Sequence, residues 1–304
     1  MEAAHCNLCG SSRYKFLHEI PDLWLERFQT KGCFVICENC GLVYQHTQPV
    51  LGDDLYPDTY AVYQDSKDLF YQWGLKKRSQ WVIKYKPPGR LLDIGAGRGD
   101  FITYMRDQLG WEVVGLEPNK KVAERTRREH NVEIIAATME QAGFPEKAFD
   151  AITLWDVLEH LADPMVTLKE IKRILKPKGL LILRLPNYDS LDAKLFGKFW
   201  AGFDSPRHFY VFSKATIQKM LQTSGFMIYK IGSNIGQYPN FVKSVQFYLT
   251  GKKVSPTLGN RILAILRFAP LRILTTPLFY LKDLGSNGSE IIIAATPVLE
   301  ETRK

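Results

Sequence analysis

The chain has 304 residues, 45% of them hydrophobic and 24% charged, and carries a formal net charge of +8. These values suit one sizeable globular domain with a small one attached. They make a membrane span a poor reading, because even the longest apolar region, Ile262 to Leu281, is interrupted by Arg267, Pro270, Arg272 and Pro277.

Met1 to Cys6 lack the apolar core of a secretory leader, so the expected location is cytoplasmic, with reduced thiols. All five cysteines fall in the first 40 residues. Four form Cys6-x-x-Cys9 and Cys37-x-x-Cys40, and a glycine follows each pair, Gly10 and Gly41. Two such knuckles predict a zinc ribbon over residues 1–50. Tight turns aim four thiolates at one ion, and four thiolates close a tetrahedral, structural site. Disulfides fit an intracellular chain badly. Cys33 reads as a small buried side chain, and His5 and His46 as bystanders. So short a segment depends on the metal to hold its fold.

Residues 51–88 read as a linker with lid helices. Tyr56, Tyr60 and Tyr63 belong either to a lid over a bound cofactor or to ordinary surface packing. Helical patterning runs over Leu69–Tyr85, and Pro87-Pro88-Gly89 closes the segment. Basic runs such as Lys76-Lys77-Arg78 and Lys120-Lys121 read as solvated helix faces, the alternative being a mild preference for anionic partners. No interleaving of aromatic and basic residues points to nucleic acid.

The most informative stretch follows. Leu91-Leu92-Asp93-Ile94 gives way to Gly95, Gly97 and Gly99, and then to Phe101, Ile102, Met105 and Leu109 at helical spacing. That reads as strand, tight turn, helix, with glycines that let the backbone approach a ligand. Trp111 to Glu117 is the next strand and ends in an acid, followed by Pro118. A carboxylate there can accept hydrogen bonds from both ribose hydroxyls of an adenosine. Further strands are expected at Val132–Ala136, Phe149–Leu154, Gly179–Leu185, Phe226–Ile231 and Glu290–Thr296, with a helix at Lys214–Ser224. The alternation argues an α/β fold with a parallel sheet.

The pair formed by Asp93-x-Gly95-x-Gly97-x-Gly99 and Glu117 resembles the class I S-adenosylmethionine-dependent methyltransferases, over residues 89–232 plus the last strand within 288–304. The resemblance implies a Rossmann-like sheet, mostly parallel with an antiparallel last strand. It also implies S-adenosylmethionine as cofactor, held by Asp93, Gly95, Gly97, Gly99, Glu117, Pro118, Thr138, Met139 and Trp155. In relatives the position of Thr138 often holds an acid that contacts the adenine amino group. Here only the backbone contact of the next residue, Met139, carries over. Trp155 is expected against cofactor or substrate, or in the core.

Asp156-Val157-Leu158-Glu159-His160 comes next. A helix starting there would put Asp156, Glu159 and His160 on one face. His208, in Asp204-x-Pro206-Arg207-His208, would complete a site. The pattern is similar to a metal-dependent subset of methyltransferases acting on hydroxyls, including ubiquinone and small-RNA 2′-O-methyltransferases. That resemblance implies a catalytic divalent cation lowering the pKa of a substrate hydroxyl. The other reading is that these acids merely suit a helix N-terminus. Without a metal, His208 is the candidate general base, and Arg207 would hold a carboxylate or phosphate. The candidate catalytic residues are therefore His208, Asp156 and His160, with Asn187 a weaker site candidate on a loop after the fifth strand.

Residues 233–287 form an insertion above the substrate side. Two readings of Leu258–Leu281 stay open. One is a helical cap packed on the core. The other is a basic, apolar surface resting on the inner face of an anionic membrane and admitting a lipid-linked substrate. The layout as a whole resembles bacterial methyltransferases of cell-envelope glycan, sugar and secondary-metabolite pathways. It implies methyl transfer to a small-molecule or glycan-type acceptor, at a hydroxyl before carbon. RNA or protein methylation, and a non-catalytic cofactor-binding scaffold, are the competing readings.

Overall fold

The computed structural model describes residues 5–47, 55, 69–233, 237–282 and 287–298. The N-terminal segment forms β1 (Tyr14–Asp22), β2 (Arg27–Cys37) and β3 (Val43–Gln45). The long helix α1 (Leu69–Ile83) follows, burying Leu75, Ser79 and Val82. Tyr56, Tyr60 and Tyr63 lie outside the described residues.

An alternation of strand and helix then runs through β4 (Arg90–Ile94), α2 (Asp100–Leu109), β5 (Glu112–Leu116), α3 (Lys120–His130) and β6 (Glu133–Ile135). It continues with β7 (Phe149–Trp155), α4 (Pro164–Ile174), β8 (Leu175–Pro186), α5 (Leu191–Phe196), the short β9 (Tyr210–Val211), α6 (Lys214–Thr223) and β10 (Phe226–Gly232). The insertion supplies α7 (Gln237–Gly251), α8 (Pro256–Arg267) and α9 (Ala269–Lys282) before β11 (Glu290–Pro297). Local chemistry sets many of these ends. Asn119 caps α3 by accepting from Val122 N–H, Asp163 caps α4 with Pro164 at its first turn, and Ser213 and Thr216 form a capping box on α6.

The main sheet has seven strands in the order β10-β11-β8-β7-β4-β5-β6. β6, β5, β4, β7 and β8 pair in parallel, and β11 runs antiparallel between β8 and β10. This is the expected Rossmann-like α/β sheet with its antiparallel last strand. The third main-sheet strand is shorter than expected, and β8 begins at Leu175 directly after α4. Helices cover both faces, so β7, β8 and β11 read as nearly continuous apolar runs. The order reverses at β4, which puts the crevice for a ligand at the C-terminal ends of β4 and β7.

The second sheet has the order β1-β2-β3-β9. Its fourth strand comes from far along the chain, where Tyr44 pairs with Tyr210 and Val43 with Val211. The cysteine-bearing ribbon is therefore stitched into the main domain beside the Asp204–His208 loop.

Candidate functional site

At the reversal point Asp93, one residue before the end of β4, is 3% exposed and accepts a 2.6 Å hydrogen bond from Thr153 Oγ1. Burial pushes its carboxyl up to about 7, against the opposing effect of that hydrogen bond. The chain then turns through Gly95, Gly97 and Gly99, with φ of 73°, 52° and 71°. These are left-handed values that favour glycine. The three glycines do different work. A Cβ on Gly95 would meet Val157 at 2.5 Å, and one on Gly99 would meet Thr126 at 2.5 Å, so both are close-packed. A Cβ on Gly97 would have no neighbour nearer than 3.9 Å, so this residue faces open space that a ligand can enter.

Glu117 follows β5 and braces the turn. Its carboxylate accepts from Gly97 N–H and from Asn119 N–H, both at 3.0 Å. Burial raises its pKa. Each oxygen has further lone-pair capacity, as ribose hydroxyls require. Pro118 lies exposed beside it. Thr138 is exposed on the loop after β6, with its N–H donated to Gln141 Oε1 at 3.1 Å, while Met139 is buried in the core. Trp155 closes β7. Its ring meets Phe101 edge-on at 5.2 Å and lies 5.4 Å from the Arg78 guanidinium. Its buried Nε1 has no hydrogen-bond acceptor.

A cavity of about 470 Å³ lies between α1, the Asp156–His160 turn and the insertion. It is linked to the glycine turn by Tyr71 of its wall, whose hydroxyl donates to Asp100 Oδ2 at 2.6 Å at the start of α2. The cavity is lined by charges of both signs. Arg78, Arg184, Lys243 and Arg272 face Asp156, Glu159, Asp204 and Glu290. Burial pulls the Lys243 ammonium down to about 8 and the Arg184 guanidinium down to about 9.

Glu159, His160 and His208 converge on this cavity, with ligand atoms within 4.8 Å of one another. The imidazoles meet edge-to-face at 4.5 Å. Each donates its Nδ1–H to a backbone carbonyl, His160 to Arg207 at 3.0 Å and His208 to Gly202 at 2.8 Å. Those bonds fix the tautomer, so each Nε2 carries a lone pair. Burial holds His160 down at about 3 and lowers His208 as well. Glu159 is fully buried, neither carboxylate oxygen has a hydrogen-bond partner among the described residues, and burial raises its pKa well above the usual range.

A family model described as a methyltransferase domain matches residues 67–231. The chain belongs to the methyltransferase-domain family. A solved S-adenosylmethionine-dependent methyltransferase of Thermotoga maritima is 20% identical, with a TM-score of 0.50 over 75% of this chain and 92% of that one. A Pyrococcus horikoshii protein is 18% identical, with a TM-score of 0.52 over 80% of this chain and 99% of that one. At these identities the likeness is one of fold. Among curated relatives, a glycine/sarcosine/dimethylglycine N-methyltransferase of Actinopolyspora halophila is 24% identical over 180 residues, which is 57% of this chain and 31% of that protein. A demethylmenaquinone methyltransferase of Listeria welshimeri is 27% identical over 197 residues, 55% of this chain and 82% of that protein. The chain thus spans about a third of the length of the first of these relatives.

Within this methyltransferase domain three expectations are corrected. Asp156 does not start a helix. It has φ of 60°, the following turn is a short 3-10 segment at Leu158–His160, and its carboxylate pairs with Arg184 instead of joining Glu159 and His160. Arg207 is not an anion-binding residue. It is fully buried, reaching Asp22 at 2.8 and 2.9 Å and Asp204 at 2.8 Å. Asn187 is buried too, and its side chain braces the loop by donating to Gly288 O and accepting from Asp189 N–H.

The Arg207 contacts explain the position of the ribbon. Asp22 ends β1, so the pair bolts the ribbon to the His208 loop. Ser205 Oγ donates to Ile20 O at 2.7 Å and accepts from Gly32 N–H at 3.0 Å. Gln45 donates to Pro206 O and His208 O at 2.6 and 2.8 Å. At the far end of the ribbon, Cys6, Cys9, Cys37 and Cys40 gather with all four sulfurs within 4.8 Å of one another. The shortest separations are 3.5 Å (Cys6–Cys40) and 3.6 Å (Cys9–Cys37). Four sulfurs bound tetrahedrally at about 2.3 Å would sit roughly 3.8 Å apart, so the donor set fits Zn²⁺. Gly10 and Gly41 supply the left-handed turns of the two knuckles, as the Cys-x-x-Cys-Gly spacing requires. His46 rests against Tyr14, with ring centroids 4.7 Å apart.

Sequence reasoning passed over several wall residues. Arg184 had a visible signal, a lone charge inside Leu181-Ile182-Leu183-Arg184-Leu185. Glu290, directly before three isoleucines, had the same one. Arg78, read from the sequence as part of a solvated helix face, instead turns inward to the cavity wall, while Tyr71 and Lys243 carried no signal, since each sits on a helix whose register toward the cavity only the fold reveals.

Proposed function

We propose that this chain transfers the methyl group of S-adenosylmethionine to a hydroxyl of a small, polar acceptor of glycan type, with lipid-linked forms of such an acceptor included. The observation that carries the reading is the convergence of Glu159, His160 and His208 on a cavity lined by charges of both signs, whose wall residue Tyr71 is hydrogen-bonded to Asp100 just after the glycine turn. Such a lining suits an acceptor with many hydrogen-bonding groups and disfavours a purely apolar one.

The bound cofactor supplies an electrophilic methyl group on a sulfonium. Gly97 would leave room for the cofactor, Glu117 would accept from its ribose hydroxyls, and Asp93 and Trp155 would brace the strand ends beneath it. His208 is the proposed base. Its Nδ1–H is pinned to Gly202 O, so Nε2 takes the hydroxyl proton as the oxygen attacks in line. His160 and Glu159, whose neutral form burial favours, would orient the hydroxyl. Two imidazoles and a carboxylate would equally hold a divalent cation, which would acidify the hydroxyl directly. The cysteine cluster is proposed to hold a structural Zn²⁺.

The test supplies methyl-labelled S-adenosylmethionine with nucleotide sugars, free glycans, lipid-linked sugars, RNA and protein in parallel. Label in the sugar fractions, lost in H208A, supports the reading. Label confined to RNA or protein would replace it with the macromolecular alternative.

A further inference from the structure

The insertion has two faces, and the outer one has chemistry of its own. Inward, α8 buries Gly259 and Leu263. Tyr238 of α7 donates to Leu266 O at 2.5 Å, and Phe279 packs against Tyr238 and Phe241 at 5.1 and 5.5 Å. Arg272 also points inward, over the Phe70 ring at 3.7 Å and into the cavity wall. Outward, Leu258, Ile265 and Phe268 on and just after α8, and Ile273, Leu274, Leu278 and Leu281 on α9, are between 51% and 75% exposed. Their spacing makes one stripe on each helix. Lone exposed leucines are ordinary, but a contiguous set on two consecutive helices needs a partner.

The charge pattern names that partner. From Ser205 to Lys282 the sequence contains no aspartate or glutamate. Over residues 233–282 it carries seven cations, Lys243, Lys252, Lys253, Arg261, Arg267, Arg272 and Lys282. Lys252, Lys253, Arg261 and Arg267 are exposed beside the apolar stripe. A second copy of the chain is a poor occupant, because a symmetric interface would press these cations against their own counterparts. Spanning is also excluded for either helix alone. α8 has 12 residues and α9 has 14, and the two are bent by 69° at their junction. Short amphipathic helices with a basic rim lie flat in the interface of an anionic bilayer.

We infer that α8 and α9 dock this protein onto an anionic phospholipid surface, with the outer stripes in the headgroup region and the basic residues on lipid phosphates. Because Arg272 links α9 to the cavity wall, docking sets the cavity beside the membrane surface. The inference is independent of the acceptor proposed above, since binding is measured without cofactor or acceptor.

The test is flotation of the full chain with vesicles of equal parts phosphatidylglycerol and phosphatidylcholine, against phosphatidylcholine alone. Co-flotation with the anionic vesicles and its loss in high salt are expected. R261E/R267E should weaken binding by at least about fivefold per cation removed. L274S/L278S should weaken it at all salt concentrations. Both variants change outward-facing side chains, so unchanged circular dichroism and S-adenosylmethionine affinity certify the fold. No flotation, or equal flotation with neutral vesicles, overturns the inference. So does a dimer in solution that L274S/L278S dissolves, which would make a second copy the occupant.

Discussion

Replacing Arg207 by methionine tests whether the ribbon is part of the catalytic apparatus. Arg207 is 0% exposed and, among the described residues, is the ion-pair partner of Asp22, which is itself 1% exposed. Asp204 retains nearby positive charge from Lys243, which helps hold its carboxyl well below the ordinary range against the cost of burial. Asp22 keeps only neutral help, accepting from Leu25 N–H at 3.1 Å. Removing the guanidinium therefore strands one buried carboxylate, and breaking a buried pair this way costs about 3–5 kcal/mol. Against a total stability of about 5–15 kcal/mol, R207M should fold but unfold at markedly lower urea. D22N/R207M neutralises the stranded acid and should recover at least about 1 kcal/mol of the loss. Urea titrations followed by tryptophan fluorescence and by zinc release should move together, because ribbon and main sheet share the clamp. A loss below about 1 kcal/mol, no recovery in the double variant, or separate transitions for zinc release and fluorescence would refute the reasoning.

The other predictions concern the site itself. H208A should lower turnover by about 10²–10⁴-fold with the dissociation constant of S-adenosylmethionine unchanged, checked by single-turnover kinetics and calorimetry. E159Q should keep most of the activity in chelator-treated buffer, since burial favours the neutral form of Glu159; loss of activity in E159Q together with inhibition by chelator would show that the cluster works as a cation site. Asp93 titrates at about 7 in the fold against an ordinary 3.8, so the native state binds the extra proton. Its contribution to stability is complete below the unfolded value and is lost as pH rises through the folded one, with a ceiling of about 4 kcal/mol. Urea midpoints across that window should show a downward slope with pH that D93N removes. C37S, or stripping with a chelator, should release one zinc per chain by elemental analysis and unfold the ribbon.

What could be read from the sequence divides along physical lines. The sheet was legible because buried parallel strands must be apolar runs and the turn after β4 must be glycine. The convergence of the four cysteines was legible because two Cys-x-x-Cys-Gly turns aim their thiols at one point, the arrangement a tetrahedral ion would require. The candidate cluster was half legible. Glu159, His160 and His208 were picked out by type, but the helix assumed at Asp156 failed because that residue adopts a left-handed turn and is captured by Arg184, which lies on a neighbouring strand. Arg207 was misread for a similar reason. Its partner Asp22 is 185 residues away in sequence, and no local pattern announces it. The same long-range pairing changes what the ribbon is for. A domain tied only by a linker could lose its metal and leave the site intact. Here Asp22, Gly32 and Gln45 hold Arg207, Ser205 and the carbonyls of Pro206 and His208, so the four cysteines at one end of the ribbon and the imidazole of His208 at the other belong to one mechanical unit.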